Sequence, residues 1–252
     1  MITHGSLFSG IGGFDLAAQR VGFKNLWNCE VNPFCQKVLK KNFPNTPQYN
    51  DILTMINPPY VDIISGGFPC QDISNAKTWT SNDANTINGI NGNRSGLWFE
   101  MLRIIGEVKP KIIVAENVSA LTKKGLDIVL SSLANIGYDA EWGVITAAQF
   151  GAPHLRKRVW IVAYPFGFGR VEKSRFLGEV FEQKIRHAPE WEFSRTICQK
   201  TGKKALPGNF GIPDGIPRRL DDAERITALG NSIVPQIATA IFQVIKKCFE
   251  YS

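Results

Sequence analysis

The chain has 252 residues, 44% of them hydrophobic, so it is long and apolar enough to bury a substantial core, and extensive disorder is not expected. Its formal net charge of +7 favours a polyanionic partner, and its five cysteines form no CxxC pair, which indicates neither a zinc site nor a disulfide framework. Because no apolar run reaches the roughly 18 residues of a membrane span and no signal core follows the N-terminus, we expect a soluble cytoplasmic protein without metal.

Short apolar runs alternate with amphipathic stretches along the first two thirds of the chain. This alternation is typical of an α/β domain with an open, mostly parallel sheet flanked by helices. The predicted strands are 5–8, 25–29, 61–65, 112–115, 141–147 and 159–163, the last two as an antiparallel pair. The predicted helices are 13–21, 33–43, 97–108 and 125–136. A polar stretch at 78–95 predicts a long loop.

The segment 165–221 has a different character, because it is rich in Gly, Pro and aromatic residues and shows no clear period. We interpret it as a small separate lobe with an excess of basic residues. Residues 222–251 are again predicted to be helical, with apolar side chains along one face. The predicted organisation is therefore a domain formed by 1–164 and 222–252, with a lobe inserted at 165–221.

A glycine-rich run at residues 8–14, called the glycine loop below, lies where the first predicted strand gives way to the first helix. Such glycines let a ligand approach backbone N–H groups closely. Glu30, after the second strand, is placed to bind ribose hydroxyls, and Asp51-Ile52 offers a carboxylate beside an apolar wall. Together these positions suggest a nucleoside site, without separating NAD from S-adenosylmethionine. The alternative is that the glycines only form a tight turn and that Glu30 caps a helix.

Cys70 and Glu116 each follow a predicted strand. A single cysteine is more often a small buried apolar residue, but Gly66-Gly67-Phe68-Pro69 precedes Cys70 and polar residues follow it. Open α/β sheets bind ligands at the carboxyl ends of their strands, so a thiol and a carboxylate at that edge make a reaction centre plausible. The alternative for Glu116 is helix capping beside Asn117.

Six motifs in order resemble the DNA cytosine C5 methyltransferases. They are FSGIGGFD, CEVNPFCQKVL, GGFPCQD, RSGLWFEM, ENV and ALGNSIVPQIA. The resemblance covers residues 4–163 and 224–245, and it implies a Rossmann-like S-adenosylmethionine-dependent domain with an inserted target-recognition lobe. The short chain is similar to bacterial or phage members of the family, which include enzymes of restriction-modification systems.

The resemblance implies roles for the reacting residues. Cys70 would add to C6 of a cytosine flipped out of double-stranded DNA, Glu116 would stabilise the ring at N3, and the loop after Cys70 would close over the base. Arg156 would hold the cytosine or its adduct, whereas Arg158 would be mainly structural. His154 stands where the family usually has Gln. The residues implied to hold S-adenosylmethionine are Phe8, Ser9, Gly10, Gly12, Gly13, Glu30, Val31, Asp51, Ile52, Pro69, Asn231 and Ser232.

Recognition of DNA is less well marked in the sequence. The resemblance implies DNA contacts for Gln71, Ser74 and Arg94. In the predicted lobe, basic side chains suit the phosphate backbone, with a solvated basic face as the alternative; they are Lys203, Lys204, Arg218 and Arg219. We expect a monomer that binds double-stranded DNA.

Three other functions compete with this interpretation. The first is methylation of cytosine in tRNA, which one relative performs with the same ProCys and GluAsnVal chemistry. The second is a catalytically inactive DNA-binding relative, against which intact Cys70, Glu116 and Arg156 argue. The third is a dinucleotide dehydrogenase, whose chemistry requires neither motif.

Overall fold

The strands and helices follow the order predicted for an α/β domain. The structure, a computed structural model, describes residues 1–69, 96–152, 154–167, 176–183, 227–228 and 230–250. In chain order the elements are β1 (Thr3–Leu7), α1 (Gly13–Arg20), β2 (Lys24–Cys29), α2 (Pro33–Asn42), β3 (Gln48–Tyr49), β4 (Ile63–Gly67), α3 (Leu97–Val108), β5 (Ile112–Val118), α4 (Leu126–Asn135), β6 (Tyr138–Thr146), β7 (Lys157–Pro165), α5 (Phe176–Gln183) and α6 (Pro235–Glu250).

Seven strands form one sheet in the order β3-β2-β1-β4-β5-β7-β6. The first five in this order are parallel, whereas β7 runs antiparallel to both β5 and β6, which confirms the predicted antiparallel pair. The strand order reverses between β1 and β4, and ligands bind in open α/β sheets at such a switch point, beyond the carboxyl ends of the strands. The topology therefore predicts a ligand site at the carboxyl edge of the sheet, near the ends of β1 and β4.

Helices cover both faces of the sheet. On one face, α1, α5 and α6 enclose a core that includes Phe14, Trp160 and Phe242. On the other face, α3 and α4 enclose a second core that includes Trp98 and Met101. Both cores are continuous apolar layers, as expected for a sheet whose central strands are buried on both sides.

Helix α5 lies inside the segment predicted as a separate lobe. Phe176, Leu177 and Val180 nevertheless belong to the core on the first face, and the Glu141 carboxylate accepts hydrogen bonds from the N–H groups of Phe176 (3.0 Å) and Leu177 (3.1 Å). A carboxylate at the N-terminus of a helix stabilises it through the helix dipole. This part of the segment packs with the domain, while most of 165–221 lies outside the described residues.

Helix ends follow local sequence signals. The Asn32 side chain caps α2 by accepting hydrogen bonds from the N–H groups of Phe34 (2.9 Å) and Cys35 (3.1 Å), and Pro33 occupies the first turn. Residues 222–251 are predicted to be helical, and the last helix, α6, begins at Pro235. The chain leaves the helical conformation at 232–234, because proline cannot donate to a preceding carbonyl and favours the first turn of a helix.

His4 lies at the centre of a buried polar network in the sheet. Its side chain is 0% exposed, with Nδ1 2.7 Å from Asn25 Oδ1 and Nε2 2.7 Å from Ser65 Oγ. Asn25 Nδ2 donates to the backbone oxygen of Asp15 (3.0 Å), which fixes the amide orientation and assigns the proton to His4 Nδ1. Burial lowers the pKa of His4 from 6.5 to about 4. His4 is therefore a buried structural residue of the sheet.

We expect His4→Gln to reduce the pH dependence of stability. A lowered folded-state pKa means that the contribution of His4 is complete above pH 6.5 and is lost as the pH falls towards 4, by about 2 to 3 kcal/mol. Buried Asp15, with a pKa raised to about 7, acts in the opposite direction in both proteins. Urea unfolding at pH 7 and pH 4.5 measures the difference between variant and wild type, which should shrink at the lower pH. An equal difference at both pH values contradicts the assignment.

Candidate active site

The loop between β1 and α1 is held in a conformation with several positive φ angles. Phe8 has φ 51°, Gly10 55° and Gly12 89°. Gly12 precedes the first residue of α1, and a Cβ there would lie 2.5 Å from a ring carbon of Phe43. Glycine is therefore required at this point both by backbone conformation and by space.

Ser9 fastens the loop to the end of β2. Its side chain is 5% exposed, its N–H donates to the Cys29 carbonyl (3.0 Å), and its hydroxyl accepts from the Cys29 N–H (3.2 Å). Below it, the Ser6 hydroxyl lies 2.7 Å from the Ser9 hydroxyl and donates to the buried Asp15 carboxylate (2.9 Å). The loop that we predicted to hold the cofactor thus rests on a hydrogen-bonded layer.

Glu30 joins the same loop to the start of α2. Its two carboxylate oxygens accept hydrogen bonds from the N–H groups of Gly10 (2.7 Å) and Asn32 (2.8 Å). Asn32, and not Glu30, provides the side chain that caps α2. Each carboxylate oxygen has further acceptor capacity, which suits ribose hydroxyls. Val31 beside it is 66% exposed.

Asp51 and Ile52 follow the end of β3, at the same carboxyl edge of the sheet as Glu30, which follows β2. Asp51 Oδ1 accepts from the Leu53 N–H (2.9 Å) and caps a short 3-10 turn. Ile52 is buried in the core on the α3 face, whereas Leu53 is 60% exposed. A cofactor contact by Ile52 stays a prediction, and Leu53 is an apolar side chain at this edge that the sequence reasoning did not single out.

Glu116 occupies the carboxyl end of β5, beside the end of β4. It is 6% exposed, and strand register places it opposite Gly67. A Cβ at Gly67 would lie 3.5 Å from Glu116 Oε2. Asn117 donates from Nδ2 to the Phe68 carbonyl (2.9 Å), two residues before Cys70. Asn117 therefore ties the strand that bears Glu116 to the segment that leads to Cys70, a role that the sequence did not reveal.

The antiparallel course of β7 brings two arginines to this edge. Because β7 starts where β5 ends, Val118 pairs with Arg158, and Arg158 Nε lies 3.0 Å from Glu116 Oε1 as an ion pair. Arg156 contacts the C-terminal segment, donating to the carbonyls of Gly230 (2.7 Å) and Ser232 (2.7 Å). Of the two arginines, Arg158 is the one paired with Glu116, although the sequence had assigned it a mainly structural part.

Burial governs the protonation of Glu116. Desolvation raises the pKa of its carboxyl from 4.5 to about 7, against the opposing charges of Arg158 and then Arg156. A carboxyl with a pKa near neutrality can exchange a proton with a bound ring nitrogen at physiological pH. Burial therefore favours the protonated form of Glu116 near neutral pH.

Asn231 and Ser232 lie between Ala228 and α6. Gly230 and Asn231 are exposed, and Ser232 is half-buried. Ile233 packs directly on the glycine loop, since a Cβ at Gly13 would lie 2.6 Å from Ile233 Cγ1 and 3.3 Å from Ser232 Oγ. The C-terminal segment that we predicted to close the cofactor pocket therefore contacts the glycine loop, which we also predicted to line that pocket.

Other predicted site residues lie outside the described part of the chain. They are Cys70, Gln71, Ser74, Arg94, Lys203, Lys204, Arg218 and Arg219. Pro69 is described and exposed. Among the described residues no group of three or more His, Cys, Asp or Glu side chains could hold a metal ion. No helix in those same ranges has the length and hydropathy needed to cross a membrane.

Comparison with known proteins gives consistent results. Residues 2–198 match the profile described as C-5 cytosine-specific DNA methylase. The chain is 37% identical over 166 residues to the type II methyltransferase M.NgoFVII of Neisseria gonorrhoeae, which covers 62% of this chain and 42% of that protein. It is 33% identical over 216 residues to M.NgoBI of the same organism, and this match covers 80% of this chain and 65% of that protein.

A solved structure shares the fold. The S. pombe Dnmt2 methyltransferase superposes with a TM-score of 0.56 and 19% identity, over 73% of this chain and 54% of that chain. The present chain spans only 42% to 65% of the length of the two Neisseria methyltransferases in the matched regions. With its sequence profile, its relatives and its sheet in agreement, the chain belongs to the C-5 cytosine-specific DNA methylase family.

Proposed function

We propose that the protein transfers a methyl group from S-adenosylmethionine to C5 of a cytosine in double-stranded DNA, with Cys70 as the covalent nucleophile. The single observation that carries the proposal is the buried Glu116 carboxyl, paired with Arg158 and joined through Asn117 to the segment before Cys70. Glu116, whose pKa burial raises to about 7, lies beside the end of β4, three residues before Cys70 in the sequence. Family membership supplies the reaction to which such a pair is suited.

The chemistry assigns one step to each residue. The Cys70 thiolate adds to C6 of the cytosine, the C5–C6 double bond opens, and electron density moves towards C5 and N3. Protonated Glu116 donates its proton to N3, and Arg158 stabilises the carboxylate that remains. S-adenosylmethionine supplies an electrophilic methyl group. When C5, now carrying the methyl group, loses its proton to a base, the C6–S bond breaks and the Cys70 thiolate is released, while N3 returns its proton to the Glu116 carboxylate.

The glycine loop and Glu30 suit a nucleoside cofactor. Phe8 lies partly exposed at the loop, Val31 is exposed beside Glu30, and the two carboxylate oxygens of Glu30 are fixed by backbone N–H groups. A fixed carboxylate beside an apolar surface can bind ribose hydroxyls while a ring packs on the apolar side chains. We propose that Asp51, Asn231 and Ser232 complete this pocket.

We expect Glu30→Gln to weaken S-adenosylmethionine binding about tenfold, or about 1.4 kcal/mol. The amide keeps one acceptor oxygen, so it cannot accept from Gly10 and Asn32 with two oxygens and also from the ribose. Isothermal titration calorimetry measures the affinity. Glu107→Gln is the matched control, because Glu107 lies on α3 in an ion pair with Arg103. If both variants bind S-adenosylmethionine with the wild-type affinity, Glu30 does not have this role.

Contacts with nucleic acid form a further part of the proposal. We propose that Gln71, Ser74 and Arg94 contact DNA near the flipped base, and that the segment 165–221 reads or holds the duplex through its basic residues. Support comes from the motif resemblance and from the net charge of +7. A monomer is sufficient for this mechanism.

Transfer of labelled methyl from S-adenosylmethionine to unmethylated mixed-sequence DNA tests the function, with tRNA as the second substrate. We expect label on cytosine in DNA only. Label on tRNA alone redirects the proposal to RNA. No label on either substrate, together with retained DNA binding, supports the inactive relative.

A further inference from the structure

We propose that Arg156 is a positioning residue of the methyl-donor pocket, holding the segment before α6 against the glycine loop. This inference rests on the proposed function, since it names how that pocket is kept closed. In this proposal Arg156 acts on the cofactor pocket, whereas Arg158 pairs with the carboxyl of Glu116, which is proposed to bind the base. The sequence resemblance alone implies that Arg156 holds the cytosine or its Cys70 adduct.

The guanidinium of Arg156 bridges two backbone carbonyls. Nη1 donates to Gly230 and Nη2 donates to Ser232, each at 2.7 Å, on either side of Asn231. Ser232 N–H in turn donates to the Ala228 carbonyl (3.0 Å), so the acceptors belong to the end of a helical turn. Exposed carbonyls at such an end carry partial negative charge, which a planar cationic fork neutralises well.

The segment held by Arg156 contacts both parts of the site. Ile233, only 9% exposed, lies against Gly13 at the start of α1, where a Cβ would lie 2.6 Å from Ile233 Cγ1 and would force a shift. Its Cγ2 also lies 3.8 Å from the position of a Cβ at Gly67, the residue that faces Glu116. One isoleucine therefore packs between the glycine loop and the strand that leads to Cys70. A shift of this segment would open the pocket from the C-terminal side.

The neighbouring arginine provides an internal contrast. Arg158 pairs with Glu116 at 3.0 Å, and its charge lowers the pKa of Glu116 more than that of Arg156 does. Arg156 directly precedes β7 and Arg158 lies within it, so the two arginines are only two residues apart but have different partners. Lysine at either position keeps the positive charge, yet a single ammonium group cannot reproduce the planar fork between two carbonyls. Matched lysine variants can therefore separate the two roles.

The experiment compares Arg156→Lys with Arg158→Lys in the full chain. Calorimetric titration with S-adenosylmethionine should give at least tenfold weaker binding for R156K and less than a twofold change for R158K. Covalent adduct formation with 5-fluorocytosine DNA at saturating cofactor should return close to the wild-type rate for R156K, but should stay low for R158K. The signature of positioning is thus a raised KM for cofactor with little change in kcat.

Ile233→Ala gives a second route to the same pocket if R156K does not fold, as judged by urea unfolding. It should weaken cofactor binding, and its effect on the affinity should be less than additive with that of R156K if both act on one segment. Wild-type affinity in R156K, or slow adduct formation by R156K at saturating cofactor, overturns the inference. A wild-type protein that binds no S-adenosylmethionine instead refutes the proposed function, so the two failures are distinguishable.

Discussion

Cys70→Ser should abolish methyl transfer, with a loss on the order of 10³-fold or more, while S-adenosylmethionine still binds. The reason is chemical: a serine hydroxyl stays protonated at neutral pH and cannot add to C6, so C5 never becomes nucleophilic. The measurement is transfer of labelled methyl, combined with gel detection of a covalent complex on 5-fluorocytosine DNA. We expect neither label nor complex with the variant.

Cys248→Ser is the matched control for this experiment. Cys248 is a partly exposed thiol on α6, away from the carboxyl edge, and it should retain both methyl transfer and the covalent complex. Loss of the complex in both variants would point to general damage by cysteine replacement. A complex that persists in Cys70→Ser would contradict the assignment of the nucleophile.

Much of the fold was predictable because local pattern and final packing agree. In α4, Leu126, Val129 and Leu133 recur on one face and are buried there. The predicted strand at 159–163 lies within β7, which extends beyond it to Lys157–Pro165. The two residues of β3 carry too little pattern to detect, and their pairing with β2 depends on the tertiary structure.

The site was predictable only in its parts. The position of Glu30 and Glu116 at one edge was predictable because parallel strands bring their carboxyl ends together, while their roles stay predictions. Their partners were not found, because Arg158 reaches Glu116 only through the antiparallel register of β7, and Arg156 meets Ser232 across 76 residues of sequence. Periodicity locates an element and its ends, but it does not say which neighbours a side chain meets.

Glu116→Gln should lower methyl transfer about 10²- to 10³-fold and should also change the pH profile. The proposed mechanism requires Cys70 as thiolate and Glu116 protonated, so the wild-type kcat/KM should rise and then fall as the pH increases. The fall arises because burial raises the pKa of Glu116 to about 7 and the acid is lost above that range. Glutamine donates a hydrogen bond but no proton, so the residual activity should rise to a plateau without falling.

Asp15→Asn tests whether the fall belongs to Glu116. Asp15 is the other buried carboxyl in the described residues with a pKa raised to about 7, but it lies under the glycine loop and donates nothing to a base. Its variant should keep the descending limb, whatever it does to cofactor affinity. If Asp15→Asn removes the fall and Glu116→Gln retains it, the titrating group is Asp15, beneath the glycine loop, and not Glu116. Glu116 would then act in one protonation state, as a fixed hydrogen-bonding partner of the ring.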